Sequence, residues 1–159
     1  MTNRASSLRG IILTDVIFVE IIMDSYISKH FCNDTKKEKE FFEYVICQNY
    51  MTFGNKRQLF VNILKNNNLE FHKKYSKVLN EIVKIIEMRN TVAHFMSDSS
   101  HKGVEYFKKT EEVSFMKIKN GTTSFVFSKY ELKKFEERIN NLRIMFDELG
   151  EYYHFNYTN

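Results

Sequence analysis

The sequence predicts a mainly helical fold of about five helices, with a β-hairpin inserted before the last one. Three observations point there. The 159 residues include no proline and only five glycines, so helices run without their usual breakers. Several long stretches space their apolar residues three and four apart, the helical period. One short stretch switches to a period of two around Asn120-Gly121, the strongest short hairpin signal. A hydrophobic share of 43% and a charged share of 28% belong to an ordinary globular chain that can bury its own core, and we expect one domain over residues 1–159. The low glycine count argues against a turn-rich sandwich and against glycine-rich phosphate loops.

The first helix is expected from Leu8 to about Phe31. On a helical wheel Leu8, Ile11, Phe18, Val19 and Tyr26 fall within roughly 60° of Ile22, which defines a core stripe. Leu13, Ile17 and Ile27 lie on the far side, so this helix needs cover from two directions, by other helices or by a subunit interface. A polar connection over Asn33 to Lys39 leads to a second helix over Glu40 to Tyr50. A turn at Thr52 to Gly54 precedes a third helix over Lys56 to Lys65, which Asn66, Asn67 and Asn68 end. The fourth runs from about Lys73 to Phe95, and Ser97 to Gly103 reads as a loop. Strands follow near Val113 to Lys119 and Thr122 to Phe127, the hairpin insertion covering about 113–127; in it Met116, Ile118, Phe125 and Phe127 alternate with polar neighbours. Ser128 and Glu131 form a capping box ahead of Leu132, Phe135, Ile139, Leu142, Phe146 and Leu149, and Gly150 closes this last helix. An aromatic tail occupies 151–159.

The fourth helix carries the anomaly. Its apolar stripe runs through Tyr75, Val78, Leu79, Ile82, Ile85 and Ile86, and the next member is Arg89, about 20° from the stripe centre where leucine would be expected. Arginine keeps its charge in proteins, so Arg89 must face a carboxylate, a water-filled groove or an anion. Asn90 and His94, four apart, share one flank of the same helix. A fixed cation, an amide and an imidazole suit a phosphodiester: the guanidinium meets charge developing on the nonbridging oxygens, and the imidazole trades protons near neutral pH. Cleaving RNA through its own 2′-hydroxyl needs one group that takes a proton and another that gives one. One chain offers a single histidine here, and a twofold dimer would supply two.

Arg89-Asn90-Thr91-Val92-Ala93-His94 resembles the R-N-x-x-x-H version of the R-x4-6-H signature of the HEPN superfamily (higher eukaryotes and prokaryotes nucleotide-binding domains). The likeness covers roughly Leu8 to Phe95 and Ser128 to Gly150. It implies an antiparallel helical bundle and a metal-independent endoribonuclease that cleaves single-stranded RNA as a homodimer, at a composite site between protomers. The roles it implies are acid/base for His94, transition-state stabilisation for Arg89 and phosphate positioning for Asn90. The family's typical settings imply a toxin or antiphage-defence protein, with a cognate antitoxin or other partner protein. A noncatalytic module that binds a nucleotide or a partner in the same dimer groove is the alternative. In the branch paired with small nucleotidyltransferases a tyrosine stands two places after the histidine; here that place is Met96, which argues against control by tyrosine adenylylation.

Asp15 sits about 20° from the core stripe of the first helix and reads as the acid that orients Arg89, as half of a buried ion pair, or as an acid exposed near a frayed helix start. Lys56 and Arg57 open the third helix as candidate contacts to RNA phosphates, against the blander reading of a wet basic face. The hairpin reads as a hydrophobic flap over helix ends. The net charge of +4, from 24 basic and 20 acidic residues, permits a polyanionic partner without demanding one. Cys32 and Cys47 lack metal or redox spacing and the histidines lack ligand spacing, so we expect no metal, no cofactor, reduced thiols and a cytoplasmic location. Arg4 and Arg9 precede an apolar stretch, but Asp15, Glu20 and Asp24 make it too polar for a signal segment or a membrane span.

Overall fold

Thirty residues form one unbroken helix, α1 (Thr2–Phe31), around which the rest of the chain is arranged. The computed structural model describes residues 2–118 and 122–150. The hairpin tip Asn120-Gly121 and the tail 151–159 lie outside the described residues. Helix α1 packs against α3 (Phe53–Asn67), α5 (Ser76–His94) and α7 (Lys129–Leu149), and α5 packs on α7. The shared core is aromatic and branched-aliphatic, with Phe60, Phe135 and Phe146 fully buried. Tyr26 meets Phe60 edge-on at 5.2 Å, and Phe60 leans on Phe146 at 6.0 Å.

The buried stripe of α1 is rotated from the expected one. Ile12, Val16, Val19, Ile22, Met23 and Ile27 are buried, whereas Ile11 is 51% and Ile17 54% exposed. Ile27, read as lying on the far side, is inside, and Ile11, read as core, is outside. The helix is apolar over most of its surface, so the wheel had no polar flank from which to fix the stripe's direction.

Local capping moved several boundaries. Asp34 accepts from the Lys37 amide at 3.0 Å and starts α2 at Thr35 (Thr35–Phe41), and a π-helical turn over Phe42–Ile46 carries the chain on. The second helix therefore ends short of Tyr50. Thr52 accepts from the Asn55 amide at 3.2 Å, so the expected turn at Thr52 to Gly54 is the first turn of α3. The expected fourth helix is α5, which starts at Ser76 rather than about Lys73, and a short helix that the sequence reading lacks, α4 (Leu69–Lys74), precedes it, the two separated at Tyr75 with φ −101° and ψ 13°. Tyr75 packs on Phe71 and donates to Glu148 of α7 at 2.6 Å, which anchors the break by a tertiary contact that no local signal announces.

After α5 come strand β1 (Met96–Ser97) and a helix, α6 (His101–Thr110), where the sequence predicts a loop up to Gly103. Ser100 caps α6 by accepting from the Gly103 amide at 3.2 Å. A Cβ at Gly103 would lie 2.4 Å from the Asp98 carbonyl oxygen, so this glycine serves a close approach inside a helix rather than a loop. Strands β2 (Val113–Ile118) and β3 (Thr122–Phe127) pair antiparallel, and β1 adds to β2 in a three-stranded sheet of order β1-β2-β3. Val113, Phe115 and Phe127 join the core, with Val113 opposite Phe127 in the ladder. The core face of β2 thus carries Phe115 rather than Met116. Ser128 accepts from the Glu131 amide at 3.1 Å and starts α7, and Gly150, at φ +79°, closes it, both as the sequence predicts. The fold is mainly helical with a small antiparallel sheet inserted before the last helix, and the described residues form seven α-helices where about five are expected, the additional ones being the short α4 and α6.

Candidate functional site: the cleft beside Arg89

The buried stripe of α5 runs through Leu79, Ile82, Ile85, Met88 and Val92. Met88 takes the inward position, and Arg89 stands at the stripe's edge, half-buried. Opposite it the segment between α2 and α3 falls away from the helix, leaving a cleft of about 630 Å³. Arg89 and Asn90 line one side, residues 46–49 and 51–54 the other, and Glu20 and Lys56 the floor. Of the three surroundings the sequence allows for Arg89, the groove is the one observed. Its Nη1 donates to Asn90 Oδ1 at 3.1 Å, and no carboxylate lies within 4 Å of it among the described residues.

His94 is the last residue of α5 and is exposed. It does not line the cleft. It stands five positions on from Arg89, about 140° around the helix and about 7.5 Å along it. The two side chains of one chain therefore leave α5 on different faces. Arg9 of α1 fixes the helix end beside His94: its Nη2 donates to the Phe95 carbonyl, and its guanidinium lies 5.1 Å from the Phe115 ring centre. A cation on the last carbonyls of a helix is favourable. Sequence reasoning missed this role, because the contact joins positions 86 residues apart.

Lys56 belongs to neither of its expected settings. It is 6% exposed, and its Nζ donates to Glu20 Oε1 at 2.8 Å and to Asp24 Oδ2 at 2.7 Å. The ammonium is thus spent inside the protein instead of being offered to RNA phosphates. Burial alone would weaken the Lys56 charge, but its bonds to Asp24 and Glu20 outweigh that and hold the proton more firmly than usual. Burial pushes the Asp24 carboxyl up from 3.8 to about 6, against the pull of the Lys56 hydrogen bond. Two carboxylates share one cation, and Asp24 Oδ1 and Ser28 Oγ are buried without a partner among the described residues. Arg57 turns away toward α5 and donates to Asn80 Oδ1 at 3.4 Å, so Lys56 and Arg57 make no joint basic patch.

Asp15 also departs from expectation. It accepts from Arg143 of α7 at 2.8 Å and is no partner of Arg89; the Arg143 guanidinium lies 5.7 Å from the Phe18 ring centre. Asp15 is half of an ion pair, as one reading had it, but its partner is an arginine on a different helix and the pair is partly exposed rather than buried. A smaller apolar hollow of about 180 Å³, between the start of α1, the hairpin base and the start of α7, holds none of the motif residues. Among the described residues no three histidine, cysteine, aspartate or glutamate side chains gather as metal ligands, and no helix is long and apolar enough to cross a membrane. Comparisons with protein-family models, with curated proteins and with solved structures return no match.

Proposed function

We propose that this chain is a HEPN-type, metal-independent endoribonuclease that cleaves single-stranded RNA as a homodimer, in the setting of a toxin or antiphage-defence system. The observation that carries the reading is Arg89: a half-buried cation with no carboxylate partner among the described residues, opening on a cleft, on the helix that ends at an exposed histidine. An arginine so placed is available to an anion. Asn90 accepts from Arg89 through Oδ1, which leaves its amide hydrogens for a phosphate oxygen.

In the proposed reaction His94 of one protomer takes the proton of the RNA 2′-hydroxyl. The 2′-oxygen bonds to phosphorus, and the bond from phosphorus to the 5′-oxygen breaks. The second protomer's copy of the same histidine protonates that leaving oxygen, and the products are a 2′,3′-cyclic phosphate and a 5′-hydroxyl. Arg89 meets the charge that grows on the nonbridging oxygens. The angle between Arg89 and His94 on α5 supports two copies of the motif, because one chain aims these groups to different sides.

The test is incubation of purified protein with single-stranded RNA in EDTA, with His94→Ala and Arg89→Ala beside wild type and a solution mass for each. Cleavage by a dimeric wild type and its loss in both variants is the expected outcome. A wild type that cleaves nothing, or variants that cleave equally well, would sink the catalytic reading and leave the noncatalytic module.

A further inference from the structure

We propose that the cleft beside Arg89 is a base subsite: it takes the nucleotide attached to the phosphate at Arg89 and prefers guanine. This rests on the ribonuclease reading for the phosphate, and on the cleft itself for the base. At about 630 Å³ the cleft is within the roughly 300–1,000 Å³ of small-molecule sites. It is also preformed. Gln48 Nε2 donates to the Glu43 carbonyl at 2.9 Å, the Met51 amide to the Gln48 carbonyl at 2.9 Å, and Asn55 Nδ2 to the Tyr50 carbonyl at 2.8 Å. The lip of the cleft is thus fixed before any ligand arrives.

The lining has the two surfaces that a base requires. Met51, Phe53 and Ile86 give an apolar wall for its flat faces. Glu20 gives an acceptor for its edge. Lys56 holds Glu20 Oε1, and Oε2 has no partner among the described residues. A carboxylate only accepts, and each of its oxygens has two lone pairs. Guanine presents N1–H and N2–H₂ side by side and satisfies both oxygens. Adenine and cytosine offer one amino group beside a ring nitrogen whose lone pair would face the carboxylate. Uracil offers one N–H between two carbonyls. Unpaired acceptors set face to face are penalised, so the carboxylate ranks guanine first.

Cys47 lines the cleft and is exposed, while Cys32, at the far end of α1, does not line it; the two thiols give a site-resolved readout that needs no catalysis. The experiment measures the rate of iodoacetamide labelling at each cysteine by mass spectrometry, with GMP, AMP, CMP, UMP or inorganic phosphate added. The expected result is that GMP protects Cys47 at concentrations roughly ten-fold or more below those of the other nucleotides, as a paired base edge allows. Phosphate should protect least, and Cys32 labelling should stay constant. Glu20→Gln should erase the GMP advantage while Cys32 labelling shows that the fold survives; if that variant does not fold, the wild-type ranking decides. Equal protection by GMP, UMP and phosphate, or none by any of them, overturns the subsite. RNA cleavage scored on the same preparation separates the two readings. Protein that cuts RNA without GMP protection loses only the subsite, and protein that GMP protects but that cuts nothing loses only the nuclease.

Discussion

Two cations face the same cleft and differ in everything but charge. Lys56 is buried between Glu20 and Asp24, and Arg89 is half-buried with only the neutral Asn90 amide as a partner among the described residues. The pair shows how a charge in a low-dielectric place is made tolerable. Lys56 is compensated within the fold, and its carboxylates are in turn the reason it can be buried. Arg89 is compensated by solvent in the cleft, and a bound anion would do the same work. The first arrangement is a structural device, and the second is the one that the proposed RNA phosphate would complete.

The contrast predicts opposite phenotypes. Arg89→Ala should lower RNA cleavage by about 10²–10³-fold, the usual cost of removing one preorganised transition-state donor, while its unfolding free energy stays within about 1 kcal/mol of wild type. Lys56→Ala should destabilise by about 3–5 kcal/mol in urea unfolding, because it strands two partly or fully buried carboxylates. An Arg89 variant that unfolds, or a Lys56 variant as stable as wild type, would break the comparison.

Next in size is the pH dependence of Asp24. Its folded carboxyl titrates near 6 against 3.8 for an ordinary aspartate, so the folded chain binds the proton more tightly. That contribution to stability is fully present below about pH 4 and is lost as pH rises through about 6. Asp24→Asn should therefore gain on wild type by about 2 kcal/mol between pH 4.5 and pH 7, most of the roughly 3 kcal/mol that a shift of this size carries in full. Paired unfolding curves at the two pH values check it, with Glu20 and Lys56 unchanged in both proteins. Smaller again, Ser128→Ala should cost about 1 kcal/mol by removing the cap of α7. Smallest, Asp15→Asn should cost about 0–1 kcal/mol, since its ion pair with Arg143 is partly exposed, and it should leave RNA cleavage unchanged. A loss of cleavage there would restore the link from Asp15 to Arg89.

Reading the sequence worked where local chemistry decides. The cap at Ser128, the stop at Gly150 and the two strands all follow from residues within a few positions of one another, whereas Arg89, read near the stripe centre, stands at its edge beside the buried Met88. It failed where distant contacts decide. The break at Tyr75 depends on Glu148, the burial of Lys56 on Glu20 and Asp24, and the helix end at Phe95 on Arg9. Helix α6 was hidden because Gly103 looks like a loop residue and is there for its closeness to Asp98. The cleft could not be seen at all, since its walls come from α1, α5 and the segment before α3. The motif was therefore legible in the sequence, and the division of roles between Arg89 and Lys56 was not.

The central claim is that Arg89 and His94 serve RNA cleavage through the 2′-hydroxyl. Its most direct test is the chemistry of the product ends after digestion of single-stranded RNA in EDTA. The account predicts 2′,3′-cyclic phosphate and 5′-hydroxyl ends from wild type and no such products from Arg89→Ala or His94→Ala. Ends of the opposite kind, a 5′-phosphate with a 3′-hydroxyl, or cyclic-phosphate ends that persist in both variants, would contradict it.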